Sequence, residues 1–157
     1  MKDIDSAALA LALGQSYDTL RGWLKRGFIS KKGRRFTYAE AMHAAVFGAC
    51  ARHYGSFGDV ADIARSAYTL MESDVFSGRT SNCVVGIAEV IDGRRTMFIG
   101  DSGATDGAWG SVIRALEDER SKHGLRALSI IDMRADVRRV CDLIMAAEAE
   151  TQEDDNE

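Results

Sequence analysis

The chain has 157 residues, 46% hydrophobic and 28% charged, with no proline, enough for one ordinary domain or two small ones whose core needs neither disulfide nor structural metal. Its three cysteines, Cys50, Cys83 and Cys141, offer no CxxC pair for a zinc ribbon or thioredoxin-type site; no apolar run approaches the roughly 18 residues of a membrane helix, and Asp3 and Asp5 stand where a secretory signal would be positive, so a cytoplasmic protein is expected. The net charge of −4 divides unevenly: residues 1–60 hold nine Lys/Arg against five Asp/Glu, a balance of +4, which leaves −8 for the remainder, a basic front suited to a polyanion and an acidic back.

In chain order, Asp5 or Ser6 can cap a short helix over AALALAL, which Gly14 breaks. Ser16 takes the N-cap of a second helix that runs to about Arg26, with Asp18 in the first turn and Gly27 just past the end. Leu20, Trp23 and Leu24 fall at i, i+3 and i+4 as its apolar stripe. Two short helices joined by a tight glycine turn have the helix-turn-helix layout. Next, residues 28–30 and 35–37 flank Lys31-Lys32-Gly33-Arg34, which predicts a tight β-hairpin with Gly33 as its permissive backbone position. Thr37 caps a longer helix with Glu40 at the capping-box position, and Ala41, Ala44, Ala45, Val46 and Phe47 supply its core face. It ends near Tyr54 and Gly55. Ser56 or Asp59 opens a fourth helix with Val60, Ile63, Ala64, Ala67, Tyr68 and Met71 at helical spacing.

After about residue 74 the pattern changes. A loop over 77–82 leads to a β-run at 83–91, a hairpin turn at Asp92-Gly93 and a second strand at 94–99. The glycine-rich segment GDSGATDGAWG precedes an amphipathic helix that ends at His123-Gly124; a third strand covers 125–131 and a last helix 132 to about 147. The expected fold class is α+β. An N-terminal winged helix-turn-helix over 1–73, with four helices and a small β-hairpin wing, precedes a small ββαβα domain over 82–149 for dimerisation or effector binding. The acidic tail, 150–157, is expected to be disordered.

A helix-turn-helix reads DNA by laying the start of its second helix in the major groove. Here that start offers Ser16, Tyr17, Asp18 and Thr19, and Arg21 and Lys25 follow one and two turns on, able to meet phosphates or guanine edges. Lys31, Lys32, Arg34 and Arg35 of the wing can follow the backbone or enter the minor groove. The run TLRGWLKRGFI at 19–29 resembles the core of MerR-type winged helix-turn-helix domains. RFTYAEA at 35–41 resembles that family's wing exit and third-helix entry, and YGSFGDVADI at 54–63 its fourth-helix entry. The resemblance spans roughly residues 4–72, and Trp23 followed by Leu-Lys-Arg-Gly also occurs in the related excisionase branch. It implies a DNA-binding domain with Tyr17, Thr19 and Arg21 at the DNA and residues 31–35 as the wing. The long dimerising helix of those regulators has no counterpart, since an α/β segment follows instead.

Elsewhere the sequence is plainer. The glycine loop lacks the Lys of a Walker motif and reads as a connection with Asp101 and Asp106 as turn residues, a phosphate or small-ligand site there being the lesser reading. His43, His53 and His123 form no ligand set, and Cys50 with His53 is at most half a metal site. No nucleophile–base constellation is visible. No catalytic residue, metal or cofactor is expected, and the chain is not read as an enzyme. The expected partners are double-stranded DNA, a second copy through the α/β domain, and RNA polymerase as a further contact; no membrane is expected. The alternatives are an adaptor or ligand sensor whose α/β half binds a small molecule or protein, and an excisionase-like factor that bends DNA.

Overall fold

Two glycines set the layout of the first helices. Helix α1 (Ser6–Ala12) starts where the Asp5 carboxylate accepts the Ala7 N–H, and α2 (Tyr17–Lys25) where the Ser16 hydroxyl accepts that of Thr19. Each ends in a Schellman motif. Past α1, Gly14 N–H bonds Leu11 O and Gln15 N–H bonds Ala10 O; past α2, Gly27 N–H bonds Leu24 O and Phe28 N–H bonds Trp23 O. Gly14 (φ 64°) and Gly27 (φ 72°) take the left-handed conformation these closures require. Helix α3 (Tyr38–Tyr54) begins with the expected capping box: Glu40 N–H bonds Thr37 Oγ1 at 3.3 Å, and Thr37 N–H bonds Glu40 Oε2 at 2.9 Å. It is buried nearly all round, adding Met42, Ala49, Cys50 and Ala51 to the expected core face, the pattern of a central helix.

The computed structural model describes residues 4–54, 58–77 and 79–154. Within them the protein is mixed α+β, with six helices and one three-stranded sheet. Helix α4 (Gly58–Phe76) and a 3-10 turn at Thr80–Asn82 lead to β1 (Val84–Val90) and β2 (Arg95–Ile99). Then come α5 (Gly107–His123), β3 (Leu125–Asp132) and α6 (Arg134–Asp154). None of these helices is long and apolar enough to cross a membrane. The alternative helix start at Ser56 lies outside the described residues.

The sheet has the order β2-β1-β3 and is antiparallel throughout. Val84 and Ala88 of β1 meet Ala108, Val112 and Leu116 of α5 in one apolar cluster. Gly86 lets the helix come close: a Cβ there would lie 2.5 Å from Val112 Cγ1. The β1–β2 connection is longer than the expected two-residue turn. Val90 and Arg94 close a three-residue loop, with Gly93 at φ 86° and the Asp92 carboxylate accepting the Arg94 N–H, the glycine-bulge form of hairpin.

The chain forms two compact units, Met1–Arg65 with Ala135–Glu157, and Ser66–Arg134. Sequence reading divides the chain near 73–81 and keeps the last helix with the strands; in the fold that helix groups with the first ones. Its side chains show why: Asp136 receives Arg52 of α3, and Cys141 is hydrogen-bonded to Tyr38. Helix α6 also runs to Asp154, into the stretch read as a disordered tail, because Glu and Gln there are good helix formers; residues 155–157 lie outside the described part.

The β-hairpin wing needs correction. Among the described residues, 28–30 and 35–37 pair no strands with each other. Phe36 instead bridges Ile4, by Ile4 N–H to Phe36 O at 2.7 Å and Phe36 N–H to Ile4 O at 2.8 Å. Gly33 is not among the glycines at positive φ, so the turn chemistry that closes a tight hairpin is missing. Residues 31–35 form a basic loop.

Candidate nucleic-acid interface

The geometry of α2 separates two faces cleanly. Leu20 and Trp23 are buried; Trp23 packs edge-on against Phe47 of α3 at 4.9 Å, and Phe28 stacks on the same ring at 5.4 Å. Gly48 admits the indole, a Cβ there being 3.5 Å from its Cη2. With this side fixed, Tyr17, Arg21 and Lys25, at successive i+4 spacings, and Asp18 beside them all lie exposed. Tyr17 is 50% exposed, an aromatic left in solvent on the polar side. Ser16 and Thr19 are partly committed to structure: their hydroxyls lie 2.8 Å apart while Ser16 caps the helix.

The loop side chains differ from one another in a way that the run KKGRR hides. Lys32, Arg34 and Arg35 are exposed. Lys31 is half-buried and turned inward: its Nζ donates to Ser6 Oγ at 2.9 Å and to Arg34 O at 3.0 Å, and it sits 5.1 Å from the centre of the Phe36 ring. Glu40 reaches back across the loop. Its Oε1 accepts the Lys32 N–H and its Oε2 the Thr37 N–H, each at 2.9 Å. Burial pushes the Glu40 carboxyl up, but these hydrogen bonds, with the nearby Lys32 charge, outweigh it and hold the group below its ordinary value.

The electrostatics of the surface are uneven. Among the described residues every ion pair involves residues from 52 onward: Arg52 and Arg139 on Asp136, Arg65–Asp62, Arg79–Asp74, Arg94–Asp92, Arg114–Asp106, Lys122–Asp118, Arg126–Glu89 and Arg134–Asp132. None engages Arg21, Lys25, Arg26, Lys32, Arg34 or Arg35. Sequence reading did not place Arg26 in the site. It caps the end of α2, exposed, with its guanidinium 6.0 Å from the Phe28 ring centre. Its signal was its membership of the basic run.

The glycine loop of the second unit is tied to its own chain. Asp101 N–H bonds Ser111 Oγ, Gly103 N–H bonds Asp101 Oδ1, and Ser102 N–H bonds Asn82 Oδ1, at 2.8–2.9 Å. The Asp106 carboxylate pairs with Arg114 and lies over the first turn of α5, where Gly110 offers no Cβ. An anion at that helix start would meet this carboxylate. Cys50 is buried while the His53 ring is exposed and set against Tyr54. No group of three metal-binding side chains comes together among the described residues.

Compared with protein-family models and with curated proteins, the sequence finds no match.

Proposed function

We propose that the chain is a sequence-specific DNA-binding transcription regulator whose first unit acts as a winged helix-turn-helix. In this reading α2 lies in the major groove with Tyr17, Asp18 and Arg21 toward the bases. Lys25 and Arg26 approach the phosphates at its end, and the basic loop with Lys32, Arg34 and Arg35 takes the place of the wing. The observation that carries the reading is the contrast in charge pairing. Six exposed cations between residues 21 and 35 have no carboxylate in ion-pair range among the described residues, while Arg and Lys from residue 52 onward are repeatedly matched by Asp or Glu. Surface cations are normally interspersed with acids; a clustered set without direct ion pairs is the footprint of a polyanion.

A single recognition helix contacts few bases, so the regulator acts as a homodimer on paired half-sites. The second unit, with Trp109, Ile113 and Leu128 partly exposed on α5 and β3, is the surface we assign to self-association. Selection of bound duplexes from a random pool, followed by titration of the enriched site, tests the function. Arg21→Ala with Arg34→Ala is expected to weaken binding at least tenfold, because a bidentate base contact is worth about 1–3 kcal/mol and loss of a phosphate contact weakens binding further. Unchanged affinity in the double variant would refute this reading surface.

A further inference from the structure

The basic loop is held at more points than a solvated charge run requires. Its far end is stitched to Ile4 by the two-bond bridge at Phe36. Its near end is crossed by Lys31, which ties Ser6 of α1 to the Arg34 carbonyl. Between them one carboxylate, Glu40, fixes the backbone N–H groups of Lys32 and Thr37 from below. Glu40 is 9% exposed and Phe36 fully buried, whereas Lys32, Arg34 and Arg35 stand in solvent. The buried groups therefore fix the backbone from which the exposed cations project.

We infer that residues 31–36 are a preorganised clamp for DNA backbone phosphates, and that Glu40 and Lys31 are its positioning residues: they set the loop's shape and do not meet the DNA. The inference rests on the DNA-binding reading above and adds a division of labour within it. Ordering a loop on binding costs affinity, and an already ordered loop avoids that cost. The number of phosphates neutralised, by contrast, depends only on the cations that reach them, and it sets the slope of log K against log salt at about −0.9 per contact. The two kinds of residue are thus separable. Loss of a phosphate contact lowers affinity and flattens the slope; loss of a positioning group lowers affinity and leaves the slope in place.

The test is a salt titration of duplex binding by fluorescence anisotropy, using the full chain and four variants. Arg34→Ala should flatten the slope by about 0.9. Glu40→Gln keeps the side chain's size but sets an NH2 against a backbone N–H, and should lower affinity about three- to tenfold at unchanged slope. Lys31→Met keeps the stem over Phe36 and removes the ammonium; it too should weaken binding without flattening the slope, although it deletes a positive charge. Ser6→Ala, which alters no charge, should act in the same direction, and it covers the case in which Glu40→Gln folds poorly. In the free protein the Lys32 and Thr37 amides should exchange slowly, and faster in Glu40→Gln. Binding indifferent to Glu40, Lys31 and Ser6 overturns the clamp alone, as does a Lys31→Met slope that flattens like that of Arg34→Ala. Failure of the unaltered chain to bind any duplex at low salt overturns the DNA-binding reading itself, and the clamp's ligand with it.

Discussion

At the scale of single residues, environment decides chemistry more than identity does. Lys31 and Lys32 are adjacent and alike, yet one is bonded inward and the other left in solvent. Nothing in KKGRR separates them, because the partners of Lys31 include a serine on another helix, far back in the chain. The cysteines follow the same rule. Cys50 is fully buried, and burial pushes its thiol up to about 12, against a smaller opposing pull from Arg52. Because the thiolate is the reactive form, Cys50 should stay unmodified when the native protein meets a disulfide reagent at pH 8, and should react once guanidinium unfolds the chain. Peptide mapping of the labelled protein checks this; labelling of native Cys50 at the rate of a free thiol would contradict its packing. Burial of this cysteine follows the general habit of free cysteine. The pairing of Cys141 with Tyr38 was not legible in the sequence, because it depends on where the last helix docks.

At the scale of elements, most signals contained within a few residues read correctly, the length of the turn at Asp92-Gly93 excepted, and signals that need a distant partner did not. The caps at Asp5, Ser16 and Thr37 and the stops at Gly14 and Gly27 are local chemistry, so the first three helices were readable almost to the residue. The wing failed as a hairpin because Phe36 finds its partner in Ile4, beyond two helices, and its neighbours in sequence offered a plausible but wrong pairing. The α5–β1 contact was hidden for the same reason. Gly86 reads as an isolated glycine in a strand until Val112 is seen above it. Gly86→Ala should therefore destabilise by about 1–3 kcal/mol through overpacking, with a Cβ 2.5 Å from Val112 Cγ1 and 3.2 Å from Leu116 Cδ1. Gly22→Ala, inside α2 with nothing within 4 Å of the added Cβ, should stabilise by about 0.5–1 kcal/mol through helix propensity. Urea denaturation of both variants tests the pair of signs, and a neutral Gly86→Ala would mean that α5 sits higher on the sheet.

For the whole molecule, the organising fact is the separation of charge along the chain. The excess of basic residues before residue 60 was countable in the sequence, but which of them stay unmatched was not. That depends on pairs such as Arg52–Asp136, whose members lie 84 residues apart. The same pair helps explain why the last helix groups with the first helices, which composition could not reveal. What remains on the first unit is a set of six exposed cations from Arg21 to Arg35, and the account stands or falls on whether they meet a polyanion. The direct measurement is the affinity of the full chain for a random-sequence duplex as salt is raised from low to physiological concentration. If about four to six of these cations reach phosphates, log K should fall against log salt with a slope of about −4 to −5. Absence of binding at low salt, or a slope near zero, would contradict the account.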